Sequence, residues 1–147
     1  MTVNWIQIAP FGDWPHSGGT QRFTCDDAEK IIEDFSFSLQ KLKKFIGRGI
    51  PFYIGFPDHQ ELKSKYKDAT AYGYVTTLSM RPDGLWGKVR WKPEGLEIVK
   101  SGKFKSHAVN WMVIKDIEGF WRPFRIKSIG FTDEPNIPVI RIENGTL

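Results

Sequence analysis

The chain has 147 residues, a length typical of one domain, and 21 Lys and Arg against 17 Asp and Glu leave a net charge of +4. Apolar residues make up 40% and charged residues 26%, which excludes an intrinsically disordered chain, and the single cysteine excludes an intramolecular disulfide or a multi-thiolate metal centre. Uncharged apolar stretches such as residues 49–57 are too short to cross a bilayer, and the N-terminus shows no signal peptide. We therefore expect a soluble intracellular protein without a membrane partner.

The N-terminal part of the chain predicts a strand, a loop and one long helix. Residues 3–11 alternate in the manner of a strand, and the Gly, Pro, Asp and Ser of residues 12–19 are typical of a loop. Thr24 is followed three residues later by Asp27, a pair that resembles a capping box at the start of a helix. Apolar residues then recur at three- and four-residue steps, which predicts an amphipathic helix over residues 25–46. We expect this helix to bury Ile31, Ile32, Phe35 and Leu39.

The rest of the chain is predicted to be mostly β-structure. Residues 50–55 are typical of a short buried strand, and the polar residues 58–70 of an exposed loop. Further along, the pattern predicts strands at 71–80, 85–91, 103–114 and 121–131, a short helix at 93–100 and an extended closing segment at 132–139. One main helix among about six strands predicts an α+β fold built on a small, mostly antiparallel β-barrel or sheet.

No residue pattern points to a cofactor or a metal ion. His59 and His107 are far apart in sequence, no pair of ligands has the spacing of a helical metal site, and no glycine-rich phosphate loop precedes a helix. Basic residues are spread over the chain and are not interleaved with aromatic residues as in an RNA-binding signature. We expect neither a cofactor nor a metal, and we do not expect nucleic acid as a partner.

Three segments of the chain resemble the head-maturation proteases of Mu-like phages. They read WIQIAPFG at residues 5–12, AYGYV and RPDGLWGKVRW between residues 71 and 91, and SIGFTDEPNIPV at residues 128–139. The resemblance covers nearly the whole chain in the same order and implies a single protease-like domain over residues 1–147. The family consists of serine proteases, similar in fold to the herpesvirus assembly proteases, that cleave the internal scaffold during capsid maturation. It implies a location in the host cytoplasm or the procapsid interior.

The resemblance also implies where the catalytic residues would lie. The family's nucleophile is a serine three residues before a tryptophan, and anchoring on Trp111 places Ala108 at that position. The family's base is a histidine. It lies either in a Gly-His-Pro-Asp sequence, which selects Phe56, or just before a glutamine, which selects His59. We expect one of these two residues to lie within a side chain's reach of Ala108. Weaker candidates for the third member of a triad are Asp58, Ser128 and Asp133.

Alanine has no nucleophilic atom, so we expect the chain as written to be inactive. One alternative is a natural pseudoprotease, and a second is an active protease inactivated by an engineered serine-to-alanine replacement at position 108. A third is an active enzyme that uses Ser106, which lies on the same strand face but about 7 Å along the strand. A non-enzymatic alternative is a structural module that docks a scaffold or capsid peptide by strand addition, with a second copy of the chain as a further partner.

Overall fold

The computed structural model describes residues 3–16, 18–42, 49–59, 68–133, 137 and 139. In chain order the described residues form β1 (Val3–Pro10), β2 (Gly12–His16), β3 (Gly19–Phe23), α1 (Cys25–Leu42), β4 (Ile50–Ile54), β5 (Gly73–Arg81), β6 (Gly84–Trp91), α2 (Pro93–Ser101), β7 (Ser106–Lys115) and β8 (Trp121–Thr132). No helix among these residues is long and apolar enough to cross a membrane.

The strands form one curled sheet in the order β1-β6-β5-β4-β8-β3-β2, with β7 paired to the other edge of β8. Strand β8 is parallel to β4 and to β3, and the remaining pairs are antiparallel. The start of β7 returns close to β1, where Nε2 of His107 lies 2.6 Å from the carbonyl oxygen of Gln7. This contact joins β7 to β1 in the curled half-barrel. The two helices and the mostly antiparallel strand pairs confirm the predicted α+β fold.

The hydrophobic core fills the inside of the curl. Phe52 lies at its centre, with ring centroids 4.5 Å from Phe131 and 5.0 Å from Trp91. Helix α1 adds Ile31, which is 2% exposed, and the half-buried Ile32 and Phe35 pack against the same cluster. The predicted burial of Leu39 falls on a side chain outside the described part of the structure.

The predicted start of α1 is confirmed. The backbone N–H of Thr24 donates to the Asp27 carboxylate at 2.9 Å, and the Asp27 N–H lies 3.4 Å from the Thr24 hydroxyl oxygen, as in a capping box. The same carboxylate accepts a hydrogen bond from the guanidinium of Arg122 at 2.8 Å, which ties the helix to β8. The helix is described to Leu42, so its predicted end at residue 46 lies outside the described residues.

The loop predicted at residues 12–19 is wrong, because most of this segment forms the antiparallel strands β2 and β3. Pro15 is compatible with a strand here because β2 is the last strand of the sheet, where one edge needs no ladder hydrogen bonds. Gly12, with φ of 145°, takes a backbone conformation that favours glycine. Residues with a composition typical of turns therefore form the β2–β3 hairpin at the edge of the sheet. The predicted loop at 58–70 and closing segment at 132–139 fall largely on residues that the structure does not describe.

Candidate functional site

The strand pair β7–β8 has two different faces at the position of Ala108. His107 is directly opposite Phe131, and Ala108 is opposite Gly130. Directly opposed residues of an antiparallel pair project to the same face, and successive residues project to opposite faces. His107 therefore faces the core with Phe131, whereas Ala108 and Gly130 belong to the other face, which we call the outer face.

The segment that follows β4 lies on this outer face. The N–H of Gly55 donates to the carbonyl oxygen of Phe131 at 3.0 Å. A Cβ atom added to Gly130 would lie 2.1 Å from the carbonyl oxygen of Gly55, so the two backbones are in direct contact. The Cα atoms of Ala108 and Gly130 are about 5 Å apart in such a pair, so the segment of residues 55–59 begins against the residue that is paired with Ala108.

Both candidate base residues belong to this segment. Phe56 and His59 are half-buried, and the backbone N–H of His59 donates to the carbonyl oxygen of Phe56 at 3.1 Å, which closes a tight turn. The structure thus brings the start of the turn to the face that carries Ala108. Which of the two side chains stands opposite Ala108 stays a prediction.

Asp58 lies in the same turn and acts electrostatically on Tyr53 of β4, the residue in register with Gly130. Burial, and next the charge of Asp58, raise the pKa of the Tyr53 hydroxyl. The Oδ1 atom of Asp58 is buried and has no hydrogen-bond partner among the described residues. The Asp58 carboxylate therefore has an acceptor atom that no described residue uses, in a turn that begins against Gly130.

Two further polar residues on the outer face lie one strand repeat away from Ala108. Asn110 and Ser128 are directly opposite each other, with exposures of 7% and 0%. Within the described residues, the Asn110 Nδ2 and Ser128 Oγ atoms are buried without a hydrogen-bond partner. An unpaired buried polar group costs about 1–3 kcal/mol. Ser128 was a weak candidate from the family resemblance, whereas Asn110 has no sequence signal beyond being a polar residue in a strand.

The other candidate residues lie at the beginning of β7. Ser106 pairs with Thr132, and its hydroxyl makes only a long contact of 3.4 Å with the carbonyl oxygen of the next residue. Asp133 is exposed, and its carboxylate accepts a hydrogen bond from the Lys105 backbone N–H at 3.0 Å. Asp133 therefore fixes the backbone at the start of β7.

Ser106 also borders an open depression between α2 and β7. Its empty volume is about 290 Å³, and it is lined by Ile98, Val99, Gly102, Phe104, Lys105, Ser106 and Phe131. The volume includes open solvent at the mouth, and the lining presents both polar and apolar surface. Sequence patterns did not point to the depression because α2 and β7 meet only in the fold.

His107 has a structural role. It is fully buried, its ring lies 5.9 Å from that of Phe52, and its Nε2–H donates to the carbonyl oxygen of Gln7. Burial lowers the pKa of His107 to about 4, although the hydrogen bond to Gln7 acts in the opposite direction. The imidazole is therefore neutral at pH 7 and belongs to the core face rather than to the face of Ala108.

The described part of the chain holds no group of three or more His, Cys, Asp or Glu side chains that could bind a metal ion. Comparison with protein-family models gives a match to the Mu-like prophage I protein, N-terminal domain, over residues 6–142. Neither the curated proteins nor the solved structures contain a match. Because the family match extends over nearly the whole chain, the predicted relation to Mu-like phages is confirmed, and the chain belongs to the family of Mu-like prophage I protein N-terminal domains.

Proposed function

We propose that this domain is a capsid-maturation protease-like domain that binds an extended segment of a phage scaffold or capsid protein and, as written, does not cleave it. Its place of action would be the host cytoplasm or the procapsid interior. The observation that carries the proposal is the position of Ala108. The family resemblance assigns the nucleophile position to Ala108, whose methyl group cannot form an acyl-enzyme. Ala108 is paired with Gly130, and the 55–59 turn begins against Gly130.

The edge of β7 supports peptide binding without catalysis. Within the described residues, β7 is paired along one edge only, with β8. The backbone groups of its other edge are suited to strand addition, in which main-chain hydrogen bonds bind an extended peptide without any nucleophile. The His107 side chain reaches the carbonyl oxygen of Gln7 in β1, and no described strand forms a ladder with this edge of β7.

Ser106 is a poor replacement for the missing nucleophile. It lies two residues from Ala108 on the same face, a displacement of about 7 Å, whereas an error of about 1 Å already impairs catalysis. Its hydroxyl has no close contact with a base among the described residues and lies 3.4 Å from a backbone carbonyl oxygen. We therefore expect no transfer of the catalytic role to Ser106.

The proposal can be tested with the scaffold and major capsid proteins encoded by the same phage. We expect the unmodified domain to bind at least one of them, to leave both intact by mass spectrometry, and to give no adduct with a serine-reactive phosphonate. A Ser106→Ala variant is the control and should behave identically. Absence of binding to both proteins, or phosphonate labelling of Ser106, would contradict the proposal.

An Ala108→Ser variant tests whether the rest of a protease site is present. If His59 stands at the base position, this variant should cleave the bound protein, and His59→Gln in the same background should abolish cleavage. If the variant binds but does not cleave, the site has lost more than its nucleophile, as expected when Phe56 stands at the base position. In either case, binding by the unmodified chain should be retained.

A further inference from the structure

We infer that the face of the sheet formed by β1, β6 and β5 binds single-stranded nucleic acid. Three cations and two aromatic rings carry this inference, and we call the surface that they form the basic face: Trp5, Tyr74, Arg81, Lys88 and Arg90. The inference goes beyond the proposed peptide binding and does not depend on it, because the proposed peptide lies along β7, whereas the basic face belongs to three other strands.

Two cations of the basic face lie on the side of β6 that points away from the core. On the core side of this strand are Leu85, Val89 and Trp91, which are at most 2% exposed. Lys88 and Arg90 alternate with these residues, and successive residues of a strand project to opposite sides. Lys88 is half-buried and Arg90 is exposed. The strand therefore presents two positive charges one strand repeat apart, about 7 Å along β6.

The strand register places an aromatic ring beside each of these two cations. Trp5 of β1 is directly opposite Lys88, and Tyr74 of β5 is directly opposite Arg90. Directly opposed residues project to the same face, and both aromatic side chains are half-buried. Arg81 adds a third cation, with its guanidinium 5.2 Å from the centre of the Trp5 ring. Cations and rings therefore alternate across a single face of the sheet.

The cations of the basic face have no ion-pair partner among the described residues. The salt bridges in the described part of the chain all belong to other arginines, on β3 and β8. Strands β1, β4, β5 and β6 contain no Asp or Glu, so the charged side chains of these four strands are Arg81, Lys88 and Arg90. A surface lined by charges of one sign attracts ligands of the opposite sign, which here means a polyanion.

The carboxylates that border β5 and β6 lie at the two ends of these strands. At one end, Asp83 in the β5–β6 turn accepts a hydrogen bond of 2.8 Å from an indole N–H. At the other end, Asp68 and Glu94 act on the hydroxyl of Tyr72, where the exposed Lys92 adds a further cation. The positive charge in the middle of the basic face is therefore not compensated by a described carboxylate in contact with it.

The combination of rings and cations favours single-stranded nucleic acid over other polyanions. Its phosphates pair with Lys and Arg, and its unpaired bases stack on aromatic rings and on guanidinium planes. An acidic peptide would use the cations but would gain nothing from the rings. The expectation that nucleic acid is not a partner depended on residue order along the chain, whereas the rings and cations alternate across three strands that only the fold brings together.

The salt dependence of binding tests the role of the cations. A short labelled oligothymidylate is titrated with the full chain and followed by fluorescence anisotropy. Three phosphate contacts predict that the affinity falls about twentyfold between about 50 and 200 mM salt, with a slope of about −2 in a double logarithmic plot. A Kd weaker than about 10⁻⁴ M at the lowest salt concentration would overturn the inference.

Two alanine variants locate this salt dependence on the basic face. Lys88→Ala and Arg90→Ala change side chains that point away from the core, and each should reduce the magnitude of the slope by about 0.7. Lys127→Ala is the matched control, because it removes an exposed lysine from β8 and should leave both the slope and the affinity nearly unchanged. If the control weakens binding as much as the two variants do, binding follows net charge and the inference is wrong.

Trp5→Leu separates nucleic acid from an acidic protein as the ligand. It removes a ring but no charge, so the affinity for oligothymidylate should fall at least about fivefold with an unchanged salt slope. Polyglutamate should bind the unmodified chain more weakly than oligothymidylate does, and it should not distinguish the variant. If the variant does not fold, quenching of tryptophan fluorescence in the unmodified chain by oligothymidylate, and not by polyglutamate, reports the same stacking. Equal binding and equal quenching by the two polymers would overturn the assignment of nucleic acid.

Discussion

The two faces of the β7–β8 pair are built in opposite ways. On the core face, His107 and Phe131 are large and lie in contact with Phe52; the buried Nε2 of His107 has a hydrogen-bond partner, and its Nδ1 has none among the described residues. On the outer face the opposed residues are small, Ala108 with Gly130 and Asn110 with Ser128, and buried polar atoms of the latter pair have no partner among the described residues.

This difference between the two faces indicates that the core face of the β7–β8 pair serves stability and the outer face serves function. The core face closes the half-barrel, and substitutions there should act on the free energy of unfolding. The outer face leaves hydrogen-bonding capacity unused at some cost in stability, a combination that is common at sites for ligands. Three predictions test this contrast.

The largest expected effect is the pH dependence of stability that His107 produces. In the unfolded chain its pKa is near 6.5, and in the folded chain burial lowers it to about 4. Between these values the unfolded state binds more protons, so stability rises with pH. The full contribution is present above about pH 6.5, is lost as the pH falls through this range, and amounts to about 3 kcal/mol.

Urea unfolding of the unmodified chain and of His107→Gln at several pH values measures this contribution. Glutamine can donate a hydrogen bond towards Gln7 but does not titrate, so the variant should be less sensitive to pH between 4 and 6.5. The difference between the two curves isolates His107 from the other titrating groups. Parallel curves would show that His107 keeps an ordinary pKa and that the core face opens to water.

The features that could be predicted from the sequence are those that neighbouring residues determine. The start of α1 is readable because Thr24 and Asp27 act on neighbouring backbone groups, and strand positions follow from local alternation. The β2–β3 hairpin was missed because Pro15 and Gly12 signal turns wherever they stand, and only the sheet order shows that β2 is an edge strand. Local patterns carry no information about such an order.

Even less of the candidate site could be predicted from local sequence patterns. Ala108 could be singled out through Trp111 because the two residues lie on one strand. The depression between α2 and β7 could not be predicted from the sequence, since its walls come from α2, β7 and β8. The pairing of Asn110 with Ser128 depends on the register of the β7–β8 hairpin, which shifts between Asn110 and Trp111 and again between Met112 and Val113. The alternation of residues along one strand does not show where such shifts occur.

An intermediate effect is expected for Gly130→Ala, which adds one methyl group to the outer face. Its Cβ would lie 2.1 Å from the carbonyl oxygen of Gly55, so the backbone of the 55–59 turn must move. Overpacking of this kind costs about 1–3 kcal/mol. We expect a loss of about 2 kcal/mol in urea unfolding, together with shifted amide signals from Gly55 to His59.

Lys127→Ala serves as the control, since it changes an exposed residue of the same strand and should alter stability by less than about 0.5 kcal/mol. A Gly130→Ala variant as stable as this control would mean that the turn does not rest on β8. In that case the proximity of the turn to Ala108, on which the proposed site depends, would be wrong.

The smallest expected effect is that of Ser128→Ala. Replacing a fully buried hydroxyl normally costs stability because a hydrogen bond is lost, but Ser128 Oγ has no partner among the described residues. We therefore expect a change within about 0.5 kcal/mol, or a slight gain, because an unpaired polar group no longer has to be buried.

The matched comparison is Asn4→Ala in the core, where the Asn4 side chain accepts a hydrogen bond of 2.8 Å from the indole N–H of Trp91. That variant leaves the indole N–H without this acceptor and should lose about 2 kcal/mol. If Ser128→Ala loses as much as Asn4→Ala, the serine hydroxyl is bonded in solution and the outer face is a second structural face. If Ser128→Ala keeps its stability but weakens binding of the scaffold or capsid protein, the unused hydroxyl serves the ligand.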